Sequence, residues 1–181
     1  MLQEFGKKEI KSPRIIIKKS ENKLRLYDED KLLTEYQCVF GNEPLLPKQK
    51  SKDHKTPEGN YCVTNKNGKS RFTVFMGLSY PNKDDAKRGL NEGLISKLQY
   101  DSIVNAEKYK HWSKWPASLW YTGLGGEVGI HGLPTKNNDS FLDYDILKAG
   151  DWTWGCISLL NRDARELFRY IPIGTPVLIE K

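Results

Sequence analysis

The feature that most constrains the fold of this chain is a series of short apolar runs interrupted by turn-forming residues. The first three runs, 14–18, 23–27 and 32–40, are joined by short polar turns, and the second alternates apolar and polar residues. Alternation with a period of two is typical of β-strands that bury one face. Because the turns are short, we predict that these strands form an antiparallel meander.

The remaining segments extend the β prediction and add a few helices. Helical structure is predicted over most of 83–110, and a further helix from Asn161, which can cap it, to the residue before Pro172. Residues 133–151 are expected to form a polar loop with a short helix at 143–148. Further strands are predicted at 60–64, 71–78, 127–131 and 175–179. The fold class is therefore predicted to be mostly β (α+β), with peripheral helices.

Length and composition exclude several classes of protein. The 181 residues suit one domain, and no stretch approaches the roughly 18 apolar residues of a membrane span. The first twelve residues carry three lysines without the apolar run of a secretory signal. The net charge of +6 favours anionic surroundings, but the lysines are spread along the chain. We expect no membrane span and no nucleic-acid partner.

Motif searches exclude the common metal and cofactor sites. The three cysteines form no CxxC pair, and neither HExxH nor GxxxxGK[ST] occurs. The glycine-rich stretch 123–129 has its third glycine one place too late for a dinucleotide loop, and a predicted strand follows it. We therefore predict no metal and no cofactor. Cys38 and Cys62, both on predicted strands, could form a disulfide in an exported protein, but two buried free thiols are favoured.

Five tryptophans suggest two different uses for indole rings. A stacking platform for nucleic acid is one interpretation of these rings beside lysines. We favour another, in which Trp112, Trp115 and Trp120 pack an insertion onto the sheet. Trp152 and Trp154 are then predicted to line a cleft beside Cys156.

Two tracts, 129–132 and 151–159, contain residues suited to nucleophilic catalysis. Cys156 follows Gly155, which allows backbone to approach a substrate closely and leaves amide groups to face an oxyanion. His131 lies at the end of a predicted strand, and a cysteine nucleophile needs such a base to form the thiolate. A lone cysteine or histidine is more often structural. The spacing along the chain leaves open whether the two side chains meet.

The order of motifs along the chain resembles that of the YkuD domain of L,D-transpeptidases. The family pattern is an I-H-G histidine followed by S/T-x-G-C, and residues 130–159 contain both. Further similar motifs are Lys55–Tyr61 (TPxGxF/Y), Tyr80–Asn82 with Asp85 and Arg88 (YPNxxDxxR), Leu124–Gly126 leading to the histidine (LGGxIxIHG), and Gly174–Val177. Several of these motifs resemble most the YafK-like branch, which includes a hydrolase that detaches lipoprotein from murein.

The resemblance implies a domain organisation. A YkuD-type catalytic domain, similar to a β-sandwich or barrel, is expected over 14–181. It would follow an N-terminal tail at 1–13 and contain a mainly helical insertion at 83–122.

The resemblance also implies roles for individual residues. Cys156 would be the nucleophile and His131 its base, with the Gly132 carbonyl orienting the imidazole as the third member of a triad. The amides of Gly155 and Cys156 would form the oxyanion hole. Substrate-binding roles are predicted for Tyr80, Asn82, Arg88, Thr153, Trp154 and Ser158. His54, just before the TPEG turn, could lie at the rim of the substrate site.

Two residues depart from the common family pattern S-H-G-C-x-R. Trp154 stands in place of the second histidine and Ser158 in place of the arginine. That arginine is expected near charged groups of the substrate, so substrate choice is expected to differ here. The D-W-T-x-G-C form is itself familiar in the YafK-like branch.

The implied reaction is acyl transfer on the peptide stems of peptidoglycan. A thioester would form between Cys156 and the carbonyl at the L-centre of diaminopimelate, and an amine or water would resolve it. One alternative is an L,D-carboxypeptidase or amidase that hydrolyses a bond to diaminopimelate, such as the lipoprotein link of murein. Another class is a catalytically inactive module that binds polyanions. The substrate implies a periplasmic or cell-wall location.

Overall fold

The computed structural model describes residues 10–134 and 150–181. Its strands, in chain order, are β1 (Pro13–Lys18), β2 (Lys23–Asp28), β3 (Lys31–Val39), β4 (Gly59–Ser70), β5 (Thr73–Leu78), β6 (Gly129–His131), β7 (Ile157–Leu159) and β8 (Pro176–Glu180). They close into a barrel in the order β1–β2–β3–β7–β6–β5–β4–β8. The β1–β8 and β6–β7 pairs are parallel and the others antiparallel. The predicted mostly β fold is confirmed.

Helices accompany the barrel in the described ranges. They are α1 (Lys83–Asn91), α2 (Lys97–Lys108) and α3 (Asn161–Tyr170), with short 3₁₀ helices at Lys19–Glu21, Trp112–Lys114 and Ala117–Trp120. Within those ranges, none of them is long and apolar enough to cross a bilayer. The tail residues 1–9 and the helix predicted at 143–148 lie outside the described residues.

Alternating side chains of the first strands form the barrel core, as the meander predicted. Ile15 and Ile17 on β1 and Leu24 and Leu26 on β2 are at most 1% exposed. Their neighbours along each strand face outward and are partly exposed. Burial of these apolar faces is the main force that closes the sheet.

Two predicted segments have different boundaries in the structure. The helical stretch 83–110 is two helices, because Gly93 takes the left-handed conformation (φ 70°) and Ser96 begins α2 with a capping box to Gln99. Strand β4 continues to Ser70, well beyond the predicted end at residue 64. Its polar outer half is held by the ladder to β5 and needs no buried face.

Strand β7 and the start of α3 differ most from the sequence predictions. Strand β7 has three residues, which are too few for an alternation of apolar and polar residues to be recognised in the sequence. It is a strand because it pairs with β3 and β6. The prediction that Asn161 caps α3 is wrong, since the N-cap is Leu160 and has no side-chain cap. The Asn161 side chain instead accepts hydrogen bonds from the Leu133 amide at 2.7 Å and the Thr73 hydroxyl at 2.8 Å.

The helical insertion has an apolar core of its own. Its buried members are Ala86, Ile95, Ile103, Ala106, Trp115, Leu119 and Leu124, with Trp112 and Trp120 packed against them. The segment of Trp112 also contacts β4 and attaches the insertion to the barrel. Trp115 and Trp120, predicted to pack onto the sheet as well, lie in the insertion's own core. Cys38 is fully buried in the barrel core, Cys62 is half-buried, and both are free thiols.

Candidate active site

The parallel β6–β7 pair brings the two candidate tracts onto adjacent strands. Ile130 pairs with Ile157 and His131 with Ser158. Extending this register by one residue places Cys156 opposite Gly129. Because successive side chains alternate between the faces of a sheet, Cys156 and His131 lie on one face. Ile130 and Ile157 point the other way, into the barrel core.

The His131 ring is oriented by the backbone that follows it. Its Nδ1 lies 2.6 Å from the Gly132 carbonyl oxygen. A carbonyl oxygen only accepts hydrogen bonds, so Nδ1 must carry the proton and Nε2 is the acceptor in the neutral ring. This is the orientation that sequence predicted for the Gly132 carbonyl, and it is the tautomer a general base requires.

Aromatic side chains surround His131 and keep it neutral. The Phe72 ring stacks on it with centroids 4.5 Å apart, and Trp152 meets it edge-on at 6.1 Å. The histidine is 3% exposed. Burial lowers the pKa of His131 to about 4, with a smaller lowering by the charge of Arg71 and an opposing contribution from the Gly132 hydrogen bond.

The Cys156 thiol is a neutral, partly exposed group at the start of β7. Its Sγ lies 3.4 Å from the Glu127 carbonyl oxygen, to which it donates. Burial raises the pKa of Cys156 to about 11, a Gly129 backbone hydrogen bond lowers it, the charge of Glu127 raises it, and that of Lys48 lowers it. The raised pKa of the thiol and the lowered pKa of the imidazole both favour the neutral forms of the two side chains.

The loop before Cys156 is anchored to the chain that leaves β3. The Phe40 amide donates to the Asp151 carboxylate at 2.6 Å, and the Phe40 carbonyl accepts from the Thr153 amide at 3.0 Å. The Asn42 amide donates in turn to the Thr153 carbonyl at 3.0 Å. These backbone contacts fix the loop, and with it the position from which Cys156 projects.

Gly155 is required by the backbone geometry of this loop. Its φ is +123°, and a Cβ there would lie 2.6 Å from the Lys55 carbonyl oxygen. The Gly155 amide donates to the Thr153 hydroxyl at 3.2 Å, and that hydroxyl donates to the Cys156 carbonyl at 2.7 Å. Of the two amides predicted to form an oxyanion hole, only that of Cys156 is without an acceptor in the described ranges.

Trp154 lies at the surface beside the candidate nucleophile. It is 78% exposed, and one face of its ring stacks on His54 with centroids 5.2 Å apart and planes within 8°. The exposure of Trp154 is compatible with the predicted contact to substrate. His54 thus lies beside Trp154, and its role at the rim of a substrate site stays a prediction.

Ser158 has a different position from the one a substrate-binding residue needs. It is fully buried between His131 on β6 and Val39 on β3. Its hydroxyl has no hydrogen-bond partner among the described residues. Because the side chain is fully buried, a substrate cannot touch it in this conformation.

Tyr80, Asn82 and Arg88 make structural contacts. The fully buried Tyr80 hydroxyl donates to the Leu124 carbonyl at 3.0 Å. Asn82 caps α1, and Arg88 donates to the Gln49 carbonyl at 2.9 Å. These hydrogen bonds hold α1 to its surroundings rather than to Cys156 or His131, and the burial of Tyr80 and Asn82 argues against direct contact with a substrate.

Several neighbours of the two reactive side chains carry no recognisable signal in the sequence. Phe72 and Arg71 lie on the β4–β5 turn, and Glu127 takes a left-handed φ of 54° next to the thiol. No motif marks these residues. Only the β5–β6 pairing, which places Phe75 opposite His131, brings the turn to the histidine. No group of three potential metal-ligating side chains occurs within 10–134 and 150–181.

Comparisons with known proteins agree with this architecture. The family model of the YkuD L,D-transpeptidase catalytic domain matches residues 12–179. No match was found among curated protein sequences.

Solved structures give the same picture of the fold. The cell shape determining protein Pgp2 of Campylobacter jejuni is similar over 99% of this chain and 54% of its own, with 18% identity and a TM-score of 0.55. Bd1075 of Bdellovibrio bacteriovorus is similar over 94% and 48%, with 21% identity and a TM-score of 0.53. A mutant L,D-transpeptidase of Enterococcus faecium is similar over 94% and 50%, with 17% identity and a TM-score of 0.50. The chain thus spans about half the length of each.

Proposed function

Because the chain belongs to the YkuD family of L,D-transpeptidase catalytic domains, we propose that it transfers acyl groups of peptidoglycan peptide stems through Cys156. His131 acts as the base. The substrate implies action at the cell wall or in the periplasm, and the D-W-T-x-G-C tract favours the YafK-like branch of the family.

The observation that supports this proposal most is the orientation of His131. The Gly132 carbonyl holds the proton on Nδ1, so Nε2 is ready to accept one. Cys156 lies just before the neighbouring strand and on the same face, which supports it as the thiol that gives up the proton. A general base needs a ring nitrogen with a free lone pair, and Nε2 meets this need.

Acylation then proceeds from a neutral pair. As the Cys156 sulfur attacks the carbonyl at the L-centre of diaminopimelate, its proton passes to Nε2 of His131. The resulting oxyanion is stabilised by the Cys156 amide. When the tetrahedral intermediate collapses, the carbon–nitrogen bond breaks and His131 returns the proton to the leaving amine. A thioester remains on Cys156 and His131 is neutral again.

Deacylation uses His131 in the same way, and the proton now passes from the acceptor to the departing sulfur. An acceptor amine or water gives its proton to Nε2 and attacks the thioester carbonyl. The carbon–sulfur bond breaks and the proton returns to the departing sulfur. An amine acceptor yields a cross-link or an attached protein, and water yields L,D-carboxypeptidase or amidase activity.

The Thr153 hydroxyl supports the reactive loop rather than the substrate. By accepting from the Gly155 amide and donating to the Cys156 carbonyl, it holds residues 153–156, which include the nucleophile, in one conformation. We propose that Trp154, which projects from the same loop into solvent, makes the contact with the substrate.

Intact-mass spectrometry after incubation with muropeptides or a carbapenem tests the proposal. The wild-type protein should gain one adduct, and Cys156→Ala should gain none. Cys62→Ala is the matched control, because it removes a half-buried thiol elsewhere and should still form the adduct. No adduct on the wild-type protein would instead indicate a binding module.

The acceptor is assigned by product analysis. Digestion of purified murein, with and without attached lipoprotein, separates the outcomes by chromatography. New cross-links indicate an amine acceptor. Shortened stems or released lipoprotein indicate water.

A further inference from the structure

Lys48 and Asp53 form a buried ion pair within one loop, residues 48–55, between β3 and β4. The Lys48 ammonium group donates to the Asp53 carboxylate at 2.8 Å and to the Lys50 carbonyl at 3.1 Å. Both side chains of the pair are at most 6% exposed. A buried ion pair is costly to desolvate, and well-packed apolar side chains often stabilise a fold equally well. Stability alone therefore does not account for a charged pair at this place.

The Asp53 carboxylate gives the loop a fixed shape. It accepts from the backbone amides of Gln49 at 2.7 Å, Lys50 at 3.0 Å and Lys55 at 3.2 Å. From helix α1, Arg88 donates to the Gln49 carbonyl at 2.9 Å. The loop is thus folded around one carboxylate and tied to the helical insertion, so the ammonium group paired with that carboxylate has a defined position.

One side of the loop packs behind the segment on which the candidate nucleophile lies. A Cβ on Gly125 would lie 3.1 Å from the Ser51 Cα and 3.4 Å from the Lys48 Cε. Gly125 precedes Glu127 by two residues, and the Glu127 carbonyl accepts from the Cys156 thiol at 3.4 Å. The Lys48 side chain therefore lies behind the backbone that contacts the thiol.

The end of the loop packs against the other neighbour of the thiol, the backbone that precedes Cys156. A Cβ on Gly155 would lie 2.6 Å from the Lys55 carbonyl oxygen. The Lys48 amide donates to the Thr56 carbonyl at 3.3 Å, which joins the two ends of the loop. The loop thus contacts the chain on both sides of the reactive sulfur.

The charge of Lys48 also acts on the thiol. Burial raises the pKa of Cys156 to about 11 and a Gly129 backbone hydrogen bond lowers it; of the charged groups, Glu127 raises this pKa and Lys48 lowers it. Negative charge develops on the sulfur when its proton passes to His131. A cation held away from water stabilises such a charge more strongly than a solvated cation does.

We propose that Lys48 is a positioning residue for Cys156, held by Asp53 as a fixed positive charge behind the segment that contacts the thiol. The proposal rests on the proposed function, because it takes Cys156 as the nucleophile. Asp53 sets the place of the ammonium group and partly offsets its charge. Removal of Lys48 and removal of the Asp53 charge should therefore change the potential at the sulfur in opposite directions.

Alkylation of Cys156 by two small reagents measures that potential. Iodoacetamide is neutral and iodoacetate carries one negative charge. The background is Cys62→Ala, which removes the half-buried thiol, and Cys38 is fully buried. Rates are followed by intact mass at pH 8 and low ionic strength. Access to the sulfur and the thiolate fraction affect both reagents alike, so the ratio of the iodoacetate rate to the iodoacetamide rate reports the local charge.

Lys48→Met should lower this ratio about twofold or more, the direction expected when a nearby positive charge is lost. It should also lower the iodoacetamide rate about threefold, because the thiolate becomes less favourable. Asp53→Asn should raise the ratio. The matched control is Lys19→Met, since the Lys19 ammonium group is also buried and donates to the Leu46 and Thr56 carbonyls on either side of the loop. It should keep the ratio, because the charge at position 48 remains.

A Lys48→Met protein that folds cooperatively and keeps the parent ratio overturns the role of Lys48. Equal changes in Lys48→Met and Asp53→Asn overturn it as well, because they indicate loosening of the loop alone. If Lys48→Met does not fold, Asp53→Asn decides, and a ratio that does not rise overturns the proposal. The proposed function is tested separately by carbapenem acylation of the wild-type protein, whose failure leaves the alkylation ratios readable. The carbapenem acylation rate should fall in Lys48→Met by about the same factor as the iodoacetamide rate.

Discussion

The two faces of the β6–β7 pair carry side chains of different chemistry, although they belong to the same three-residue strands and both are buried. The inner face presents Ile130 and Ile157, which are fully buried in the barrel core. The outer face presents His131, Ser158 and, one residue before β7, Cys156. The strands are thus held by side chains that take no part in chemistry. Because a slip of one residue would exchange the faces, inner packing also fixes which side chains meet outside.

The largest expected effect is on the inner face. Ile157→Ala should lower the free energy of unfolding by about 2–5 kcal/mol, because it leaves a cavity in a packed core. Cys156→Ala, one residue earlier and partly exposed, should cost about 1 kcal/mol or less. Urea unfolding curves of both variants measure the difference. Equal losses of unfolding free energy would mean that the inner face contributes no more to stability than the outer face.

The outer face should affect rate instead. His131→Gln should lower the rate of Cys156 acylation by about a hundredfold or more, the usual scale for loss of a general base. His111→Gln is the matched control, since that histidine is exposed and, within 10–134 and 150–181, its ring stacks on Tyr109 alone. The rates are measured by intact mass at timed intervals. Near-normal acylation of His131→Gln would reject this histidine as the base.

The apolar surroundings of the outer face should be visible in the pH profile. Burial lowers the pKa of His131 to about 4, so the neutral ring persists at pH values where an ordinary histidine, with a pKa near 6.5, is protonated. Acylation should therefore remain high down to about pH 5 and decline as the pH falls through 4, when Nε2 becomes protonated. The measurement is kcat/KM against pH. An acid limb near pH 6.5 would contradict the assignment.

The smallest effect on stability is expected at Ser158, which lies on the outer face but is fully buried. Ser158→Ala removes a hydroxyl without a partner among the described residues, so it should change stability by no more than about 1 kcal/mol, in either direction. Thr153→Val is the contrasting variant, because its hydroxyl joins two backbone groups. Thermal unfolding of both distinguishes them. A large loss in Ser158→Ala would reveal a hydrogen bond that the hydroxyl makes in solution.

Local patterns in the sequence predicted much of the fold. Three short runs joined by tight turns, the second of them alternating, predicted the meander, and the order of motifs predicted the family. The turn chemistry at Gly93 and Ser96 was also present in the sequence, but helical periodicity on both sides obscured it. The tracts of His131 and Cys156 were identified as candidates from residue chemistry, the family resemblance implied that they act together, and the pairing of β6 with β7 that puts them on adjacent strands came only with the structure.

What the sequence could not provide depends on pairing between distant segments. Strand β7 is defined by its partners, and the approach of Arg71 and Phe72 to His131 follows from the ladder between β5 and β6. A match to a family motif also does not distinguish a structural residue from one that contacts the substrate. Tyr80 and Asn82 match the family pattern, yet their contacts fix α1 and its surroundings.

The crowding of backbone around Gly155 has a consequence for protein engineering. A Cβ on Gly41 would lie 2.1 Å from the His54 carbonyl oxygen, and Gly155 is packed as tightly against Lys55. Trp154, the neighbour of Gly155 in the chain, projects into solvent instead. A library at position 154 can therefore explore new substrates while its neighbours hold the loop, and the same diversity at 41 or 155 would mostly yield unfolded or misaligned protein.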